Sequence, residues 1–255
     1  MVDTDRQEGG MLMQAWGISE AGMVRSENQD HYSIIKLGRD QLLVVVCDGM
    51  GGARSGNVAS KMAVDVFTGE VRRNVRSNMK QDKIDAMLIS SLELANKAVF
   101  EQSLLSEEYH GMGTTLVAAF FQKDVVTVVN VGDSRAYLFN IDGVRSITTD
   151  HSLVELMVQR GELTREAAKN HPGKNLITRA VGTENAVACD LFHCELEKGD
   201  SVLLCSDGLS NLMSDQEILF EVVHGVNKRD CCQRLMNIAN FRGSPDNVTI
   251  ALVCV

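Results

Sequence analysis

Proline is nearly missing from this chain: Pro172 and Pro245 are the only two in 255 residues. With so little proline there is no Pro-rich linker, and no repeat or low-complexity segment appears either. No apolar run approaches the ~20 residues that a membrane-spanning helix needs, and the start of the chain lacks a secretory signal pattern. A soluble, cytoplasmic protein is expected. Basic residues are the minority, 25 Lys and Arg against 34 Asp and Glu, for a net charge of −9. Bulk charge therefore disfavours nucleic acid and anionic membranes as partners. An anionic substrate is still allowed, because bound dications reverse the sign locally. The seven cysteines are odd in number and follow no framework spacing. Cys47, Cys205 and Cys254 lie in apolar strands, Cys231 and Cys232 in a helical pattern. Cys189 and Cys194, five apart in an expected strand, point to opposite faces. They read as core thiols of a reduced protein rather than as disulfides or a zinc site.

What the chain does have is one pattern used repeatedly. Leu42 to Cys47 is an apolar, β-branched run without a polar break, which is how a strand buried on both faces reads. It ends at Asp48, followed by Gly49, Met50, Gly51 and Gly52. Val125 to Val131 is another such run, ending in Gly132-Asp133-Ser134-Arg135. Ser201 to Cys205 ends in Ser206-Asp207-Gly208. Gly243-Ser244-Pro245-Asp246-Asn247 leads into a last strand, Val248 to Val255. Asp48, Asp133 and Asp207 each end a buried strand and Asp246 opens one, so strand ends converging on one rim would bring four carboxylates together.

Such a rim needs cations. Two like charges ~4 Å apart repel by about 4 kcal/mol at an effective dielectric of ~20, against a whole-domain stability of ~5–15 kcal/mol. Oxygen ligands without His or Cys suit the hard ions Mg²⁺ and Mn²⁺. Two of these, about 3.5–4 Å apart, are a recurrent device for in-line attack on phosphorus.

The remaining pattern is an α+β one. Strands are expected at Met11 to Ile18, Tyr32 to Leu37, Thr115 to Gln122, Arg135 to Asn140, Val144 to Thr149 and Ala186 to Leu196. Helices are expected at 57–76, with a stripe of Ala59, Met62, Ala63 and Val66, and at 82–103, with Leu88, Leu92, Ala95 and Val99. Two more follow, one opened by a Ser214/Glu217 capping box and one over 228–240. Strands come in meanders and helices in consecutive pairs, with no βαβ alternation. Residues 150–182 have no apolar stripe long enough for a core helix and read as an insertion, with Ser152 and Thr164 as caps of short helices. Residues 1–10 read as a disordered leader, and 11–255 as a single domain.

Seven motifs, GMVRSENQD (22–30), DGMGG (48–52), GMGTT (111–115), VGDSRAY (131–137), TTDHSLV (148–154), SDGL (206–209) and PDNVT (245–249), stand in the order and spacing of one family. The chain resembles the metal-dependent Ser/Thr protein phosphatases of the PPM, or type 2C, family in its bacterial form. The resemblance implies a four-layer αββα sandwich, two antiparallel sheets flanked by helix pairs, with 150–182 as a flap beside the site. It implies hydrolysis of phosphoserine and phosphothreonine by a water or hydroxide bridging two Mn²⁺ or Mg²⁺ ions. Asp48 would bridge the ions and the Gly49 carbonyl bind one of them. Asp207 and Asp246 would complete the first ion, and Asp30 would reach the second through water. Asp133 with Asp207 would hold a third, weaker ion. Arg25 would bind the substrate phosphate through its planar guanidinium fork. The implied partners are phosphorylated proteins, a Ser/Thr kinase and its substrates, met by a monomer. One departure stands out: Met50 occupies the position where many eukaryotic members carry a histidine held to protonate the leaving group, and Ala53 offers no substitute. A catalytically silent module of the same fold is disfavoured by the complete Asp set and Arg25.

Overall fold

The computed structural model describes residues 13–51, 55–225 and 227–255. The leader at 1–10, the beginning of the first expected strand, Gly52 and Ala53 lie outside the described residues.

Eleven strands form two antiparallel sheets among the described residues. One sheet has the order β1 (Gln14–Glu20), β11 (Val248–Cys254), β10 (Ser201–Cys205), β7 (Arg135–Asn140), β8 (Gly143–Ser146). The other runs β2 (Asp30–Lys36), β3 (Gln41–Met50), β5 (Leu116–Gln122), β6 (Val125–Val131), β9 (Asp190–Glu195), with the two-residue β4 (Gly113–Thr114) on the end of β3.

Strand period and burial decide the layering. Along β3, Leu43, Val45 and Cys47 face one side and pack under α1 (Ser55–Asn74) and α2 (Gln81–Ser103). Leu42, Val44 and Val46 face the other and pack with Val202, Leu204, Ala251 and Val253 of the opposing sheet. The outer face of that sheet, with Leu203, Cys205, Ile250 and Leu252, is covered by α6 (Asp215–His224) and α7 (Cys231–Phe241). The order helix, sheet, sheet, helix is the αββα sandwich, and it explains why β3 shows no polar alternation: neither of its faces meets water. Each fully buried Val or Leu there contributes about 1.5–3 kcal/mol relative to exposure.

Local details differ from expectation in instructive ways. In α1, Met62 and Val66 are only partly buried, and Phe67 and Val71 carry the stripe instead. All four expected positions of α2 are fully buried. Cys189 and Cys194 do lie on opposite faces, packing in the helix-side and inter-sheet cores respectively. Residues 186–189, however, are not strand. Asn96, buried in α2, accepts the Gly182 N–H at 2.7 Å and donates to the carbonyls of Glu184 and Asn185, which draws the chain away from the ladder until Asp190. Residues 150–182 form two short helices, α3 (Leu153–Gln159) and α4 (Arg165–Ala168), without a buried residue in either. Ser152 and Thr164 cap them.

Candidate metal centre and active site

The inter-sheet face of β3 ends in a charge. Leu42, Val44 and Val46 set the parity, so Asp48 emerges at the rim between the sheets. Opposite it in the β2–β3 register stands Asp30, only 3% exposed. The backbone of Asp48 is gripped by the GTT motif. Its N–H donates to Thr115 Oγ1 (2.9 Å), and its carbonyl accepts from the Thr115 N–H (2.9 Å) and from Thr114 Oγ1 (2.8 Å). Thr115 Oγ1 also lies 2.7 Å from Ser134 Oγ, which joins β3 to the Asp133 loop. Gly49 is required by close approach: a Cβ there would lie 2.1 Å from Gly56 O at the start of α1 and 2.6 Å from Gln29 O.

The other sheet supplies the second half. Asp207 follows β10 and opens α5 (Asp207–Ser210), and its Oδ2 accepts from Asn211 Nδ2 (3.0 Å). Ser206, fully buried, donates from Oγ to Asp30 Oδ2 (2.7 Å) and accepts the Thr249 N–H (2.9 Å), so it spans the two sheets. At the opening of β11, Asp246 Oδ1 accepts its neighbour's N–H from Asn247 (2.9 Å) and Oδ2 accepts from Arg25 Nη2 (2.9 Å). Asn247 turns inward. Its Oδ1 accepts the Gln29 N–H (2.8 Å), and its Nδ2 donates to the carbonyls of Ala21 and Glu27 (3.0 and 2.9 Å). Thus it staples down the loop that carries Arg25 and leads to Asp30. Gly22, at φ +75°, opens that loop where a Cβ would lie 2.2 Å from Asp246 O.

Burial and mutual repulsion act together on these carboxyls. Burial pushes Asp30 up to about 7, with the charge of Asp207 adding to it against the nearby hydroxyls of Ser206 and Thr249. Asp48 is raised well above the usual carboxylate range by burial, then by Asp30, Asp207, Asp133 and Asp246. Burial and then Asp207 and Asp150 bring Asp133 to about 7. Asp207 is raised by burial and by Asp246. The structure therefore brings Asp30, Asp48, Asp133, Asp207 and Asp246 into one electrostatic cluster, with the Gly49 backbone and Arg25 at its edge.

The donor set fits hard dications. Asp30 and Asp207 each have one oxygen pinned by a protein donor, while Asp30 Oδ1 and Asp207 Oδ1 are buried without a hydrogen-bond partner among the described residues. Orphaned buried carboxylate oxygens are costly unless something cationic meets them. Among the described residues no three His, Cys, Asp or Glu side chains close into a ready-made cage. Such an open rim accords with Mg²⁺ and Mn²⁺, which keep several waters and take few protein oxygens.

A cleft of about 730 Å³ adjoins the cluster, lined by Asp133 and Asp207, by flap residues including Val154, Arg165, Lys169 and Lys174, and by residues 210–216. Arg135 forms a two-pronged pair with Asp150 beside it (2.9 and 2.6 Å). Ser134 and Arg135 serve as structural support, Ser134 joining the Asp133 loop to Thr115 and Arg135 pairing with Asp150. The sequence by itself assigns no role to Ser206 or Asn211. Only the position of Ser206 and Asn211 next to or near Asp207 could have pointed to them.

Known proteins share this pair of stacked antiparallel sheets, and they are phosphatases. The family model described as Protein phosphatase 2C matches residues 23–237. A serine/threonine phosphatase stp of Listeria innocua is 37% identical over 238 residues, covering 92% of this chain and 93% of that protein. A solved S. agalactiae serine/threonine phosphatase superposes with a TM-score of 0.89 at 36% identity, covering 96% of this chain and 100% of that one. The catalytic domain of the serine threonine protein phosphatase PstP, solved with two manganese ions, has a TM-score of 0.80 at 32% identity over 95% of this chain and 97% of its own. The chain belongs to the protein phosphatase 2C family and is a protein-serine/threonine phosphatase. Among the described residues no helix is long and apolar enough to cross a membrane.

Proposed function

We propose that this phosphatase hydrolyses phosphoserine and phosphothreonine in proteins at the carboxylate rim, with two Mn²⁺ or Mg²⁺ ions and a third, weaker one. Asp48 and the Gly49 carbonyl, with Asp207, Asp246 and Asp30, would hold the two central ions, and Asp133 with Asp207 the third. Bound there, such ions would acidify a water for attack on phosphorus and offset the charge of the phosphate. The observation that carries this reading is the pair of buried, unpartnered oxygens on Asp30 and Asp207, each on a carboxylate already held by its other oxygen. The chain's own residues do the rest. Thr114 and Thr115 fix the backbone of Asp48, Ser206 and Asn211 aim Asp30 and Asp207, and Asn247 holds the Arg25 loop over the rim. Arg25, 56% exposed along its side chain, is free to take a phosphate in its fork at the cost of its contact with Asp246.

A cytoplasmic protein working as a monomer, with residues 11–255 as its catalytic unit, fits this reading, and a Ser/Thr kinase and its substrates are the natural phosphoprotein partners. Release of phosphate from a phosphothreonine peptide should require Mn²⁺ or Mg²⁺ and stop with chelator. Turnover that persists undiminished in chelator would sink the reading.

A further inference from the structure

His151 has no part in the chemistry above, yet it is buried to 6% exposure in a position that controls one residue. Its backbone N–H donates to Gly132 O (2.9 Å), and its ring Nδ1 accepts the Gly132 N–H (3.1 Å). Both polar backbone groups of Gly132 are thus held by the same histidine. Gly132 immediately precedes Asp133 and sits at φ +106°, with Thr115 so close that a Cβ would lie 2.6 Å from its Cγ2. The turn into Asp133 is fixed by Thr115, by His151 and, more weakly, by Asn130, whose Nδ2 donates to Gly132 O at 3.3 Å.

The ring is itself anchored. An Nδ1 that accepts places the proton on Nε2, and Nε2 lies 3.3 Å from Asp190 Oδ2. Arg179 Nη1 sits between the two, 3.2 Å from His151 Nε2 and donating to the other oxygen of Asp190 at 3.1 Å. The His151 carbonyl accepts the Thr178 N–H at 2.7 Å. Burial lowers the His151 pKa, in keeping with a neutral ring. Thr178 and Arg179 belong to the returning end of the flap segment, and Asp190 is the first residue of β9.

We propose that His151 is a positioning residue for Asp133, its Nδ1 holding the Gly132 N–H and its Nε2 tying that hold to Asp190 and Arg179 at the root of the flap. The Asp133 carboxylate then keeps its place on the rim only while this chain of contacts is intact. The functional consequence rests on the reading of Asp133 as a metal ligand; the clamp itself does not.

Two near-isosteric substitutions separate the two ends of the ring. His151→Asn puts an acceptor oxygen near the place of Nδ1 and gives up the reach to Asp190. His151→Gln reaches toward Asp190 but leaves the Gly132 N–H without its acceptor. In the metal-free protein, amide hydrogen exchange at residues 130–135 should speed up roughly tenfold in His151→Gln and only about threefold in His151→Asn, which keeps the acceptor for Gly132 N–H but loses its anchor on Asp190. Wild-type exchange in His151→Gln, or equal acceleration in both variants, overturns the proposal. In a calorimetric Mn²⁺ titration, His151→Gln should lose affinity at the weaker site by roughly ten- to a hundredfold, and the loss should not add to that of Asp133→Ala. Full additivity would mean that His151 acts elsewhere and would also overturn the proposal. If Asp133→Ala binds Mn²⁺ as wild type does, the metal reading of Asp133 fails, and the exchange measurement still decides the clamp. Asp190→Asn, a change on a side chain 40% exposed, is the second variant should His151→Gln not fold. It should accelerate exchange in the same segment, and unchanged exchange there counts against the proposal.

Discussion

Asp30 and Asp48 stand directly opposite each other in the β2–β3 ladder, on the face that looks toward the second sheet. Side chains so placed have Cβ atoms about 4.5–5.5 Å apart, where like charges destabilise a sheet. Ser206 relieves one oxygen of Asp30, and the other is buried without a hydrogen bond among the described residues. A fold that holds two carboxyls at this spacing, with Asp207, Asp133 and Asp246 adding to the same field, is arranged to receive positive charge.

Ser206 is the first place to test that arrangement. Ser206→Ala removes the donor to Asp30 Oδ2 and leaves the buried Thr249 N–H without its acceptor. Stability should fall by about 1–3 kcal/mol, and Mn²⁺ affinity by roughly tenfold. Thermal melts and Mn²⁺ titration measure the two separately; a melt change without any affinity change would make Ser206 a sheet-spanning brace only.

Arg25 reaches Asp246 at 2.9 Å and lies on the loop stapled by Asn247. Arg25→Ala should raise KM strongly for both p-nitrophenyl phosphate and a phosphopeptide, with Mn²⁺ binding retained. Arg25→Lys should recover only part, since an ammonium cannot reproduce the planar fork. An unchanged KM on both substrates would remove Arg25 from the site.

Asp133 is expected to matter unequally for different leaving groups. Phosphoserine leaves as a poor alkoxide that needs a proton, whereas p-nitrophenolate leaves unaided. With Met50 beside Gly49 in place of a histidine, we expect Asp133→Ala to cut kcat on phosphopeptides far more than on p-nitrophenyl phosphate. Equal losses would assign Asp133 to the central site or the fold, and no loss would make its loop a structural turn.

The α6 cap carries a pH dependence of known sign. Glu217 accepts from Arg242 and from Ser214 N and Oγ (2.8 and 2.9 Å), and these partners hold it down to about 2. A carboxyl lowered in the folded state contributes stability above its unfolded value, about 4.3, and loses it as pH falls toward the folded value. Glu217→Gln should therefore melt earlier than wild type at pH 7, with the difference shrinking below about pH 4 and gone near the folded value. A difference that stays constant from neutral to acid would show that the charge on Glu217 contributes nothing.

The layers and the rim were legible because they are written in local pattern. Six consecutive apolar residues in β3 announce a strand buried on both faces, and an Asp at the end of each such strand announces the rim. The residues that hold the rim were not legible. Ser206 meets Asp30 across 176 positions of sequence, and Asn247 meets Gln29 across 218; a serine or asparagine in such a pairing leaves no periodicity to read. Residues 186–189, the start of the strand expected over Ala186 to Leu196, are not strand for the same reason. Their apolar composition is strand-like, but Asn96, some ninety residues earlier, claims the neighbouring backbone groups. His151 belongs to this group as well, since its contact with Gly132 depends on how the flap root returns to β9.

The central claim is that the rim of Asp30, Asp48, Asp207 and Asp246 is a dication site. Anomalous diffraction at the manganese edge from crystals grown with Mn²⁺ tests it most directly. Strong peaks are expected within coordination distance of Asp48 and of the unpartnered oxygens of Asp30 and Asp207, and their loss is expected in Asp207→Ala crystals prepared alike. A wild-type map with no manganese peak at this rim would contradict it.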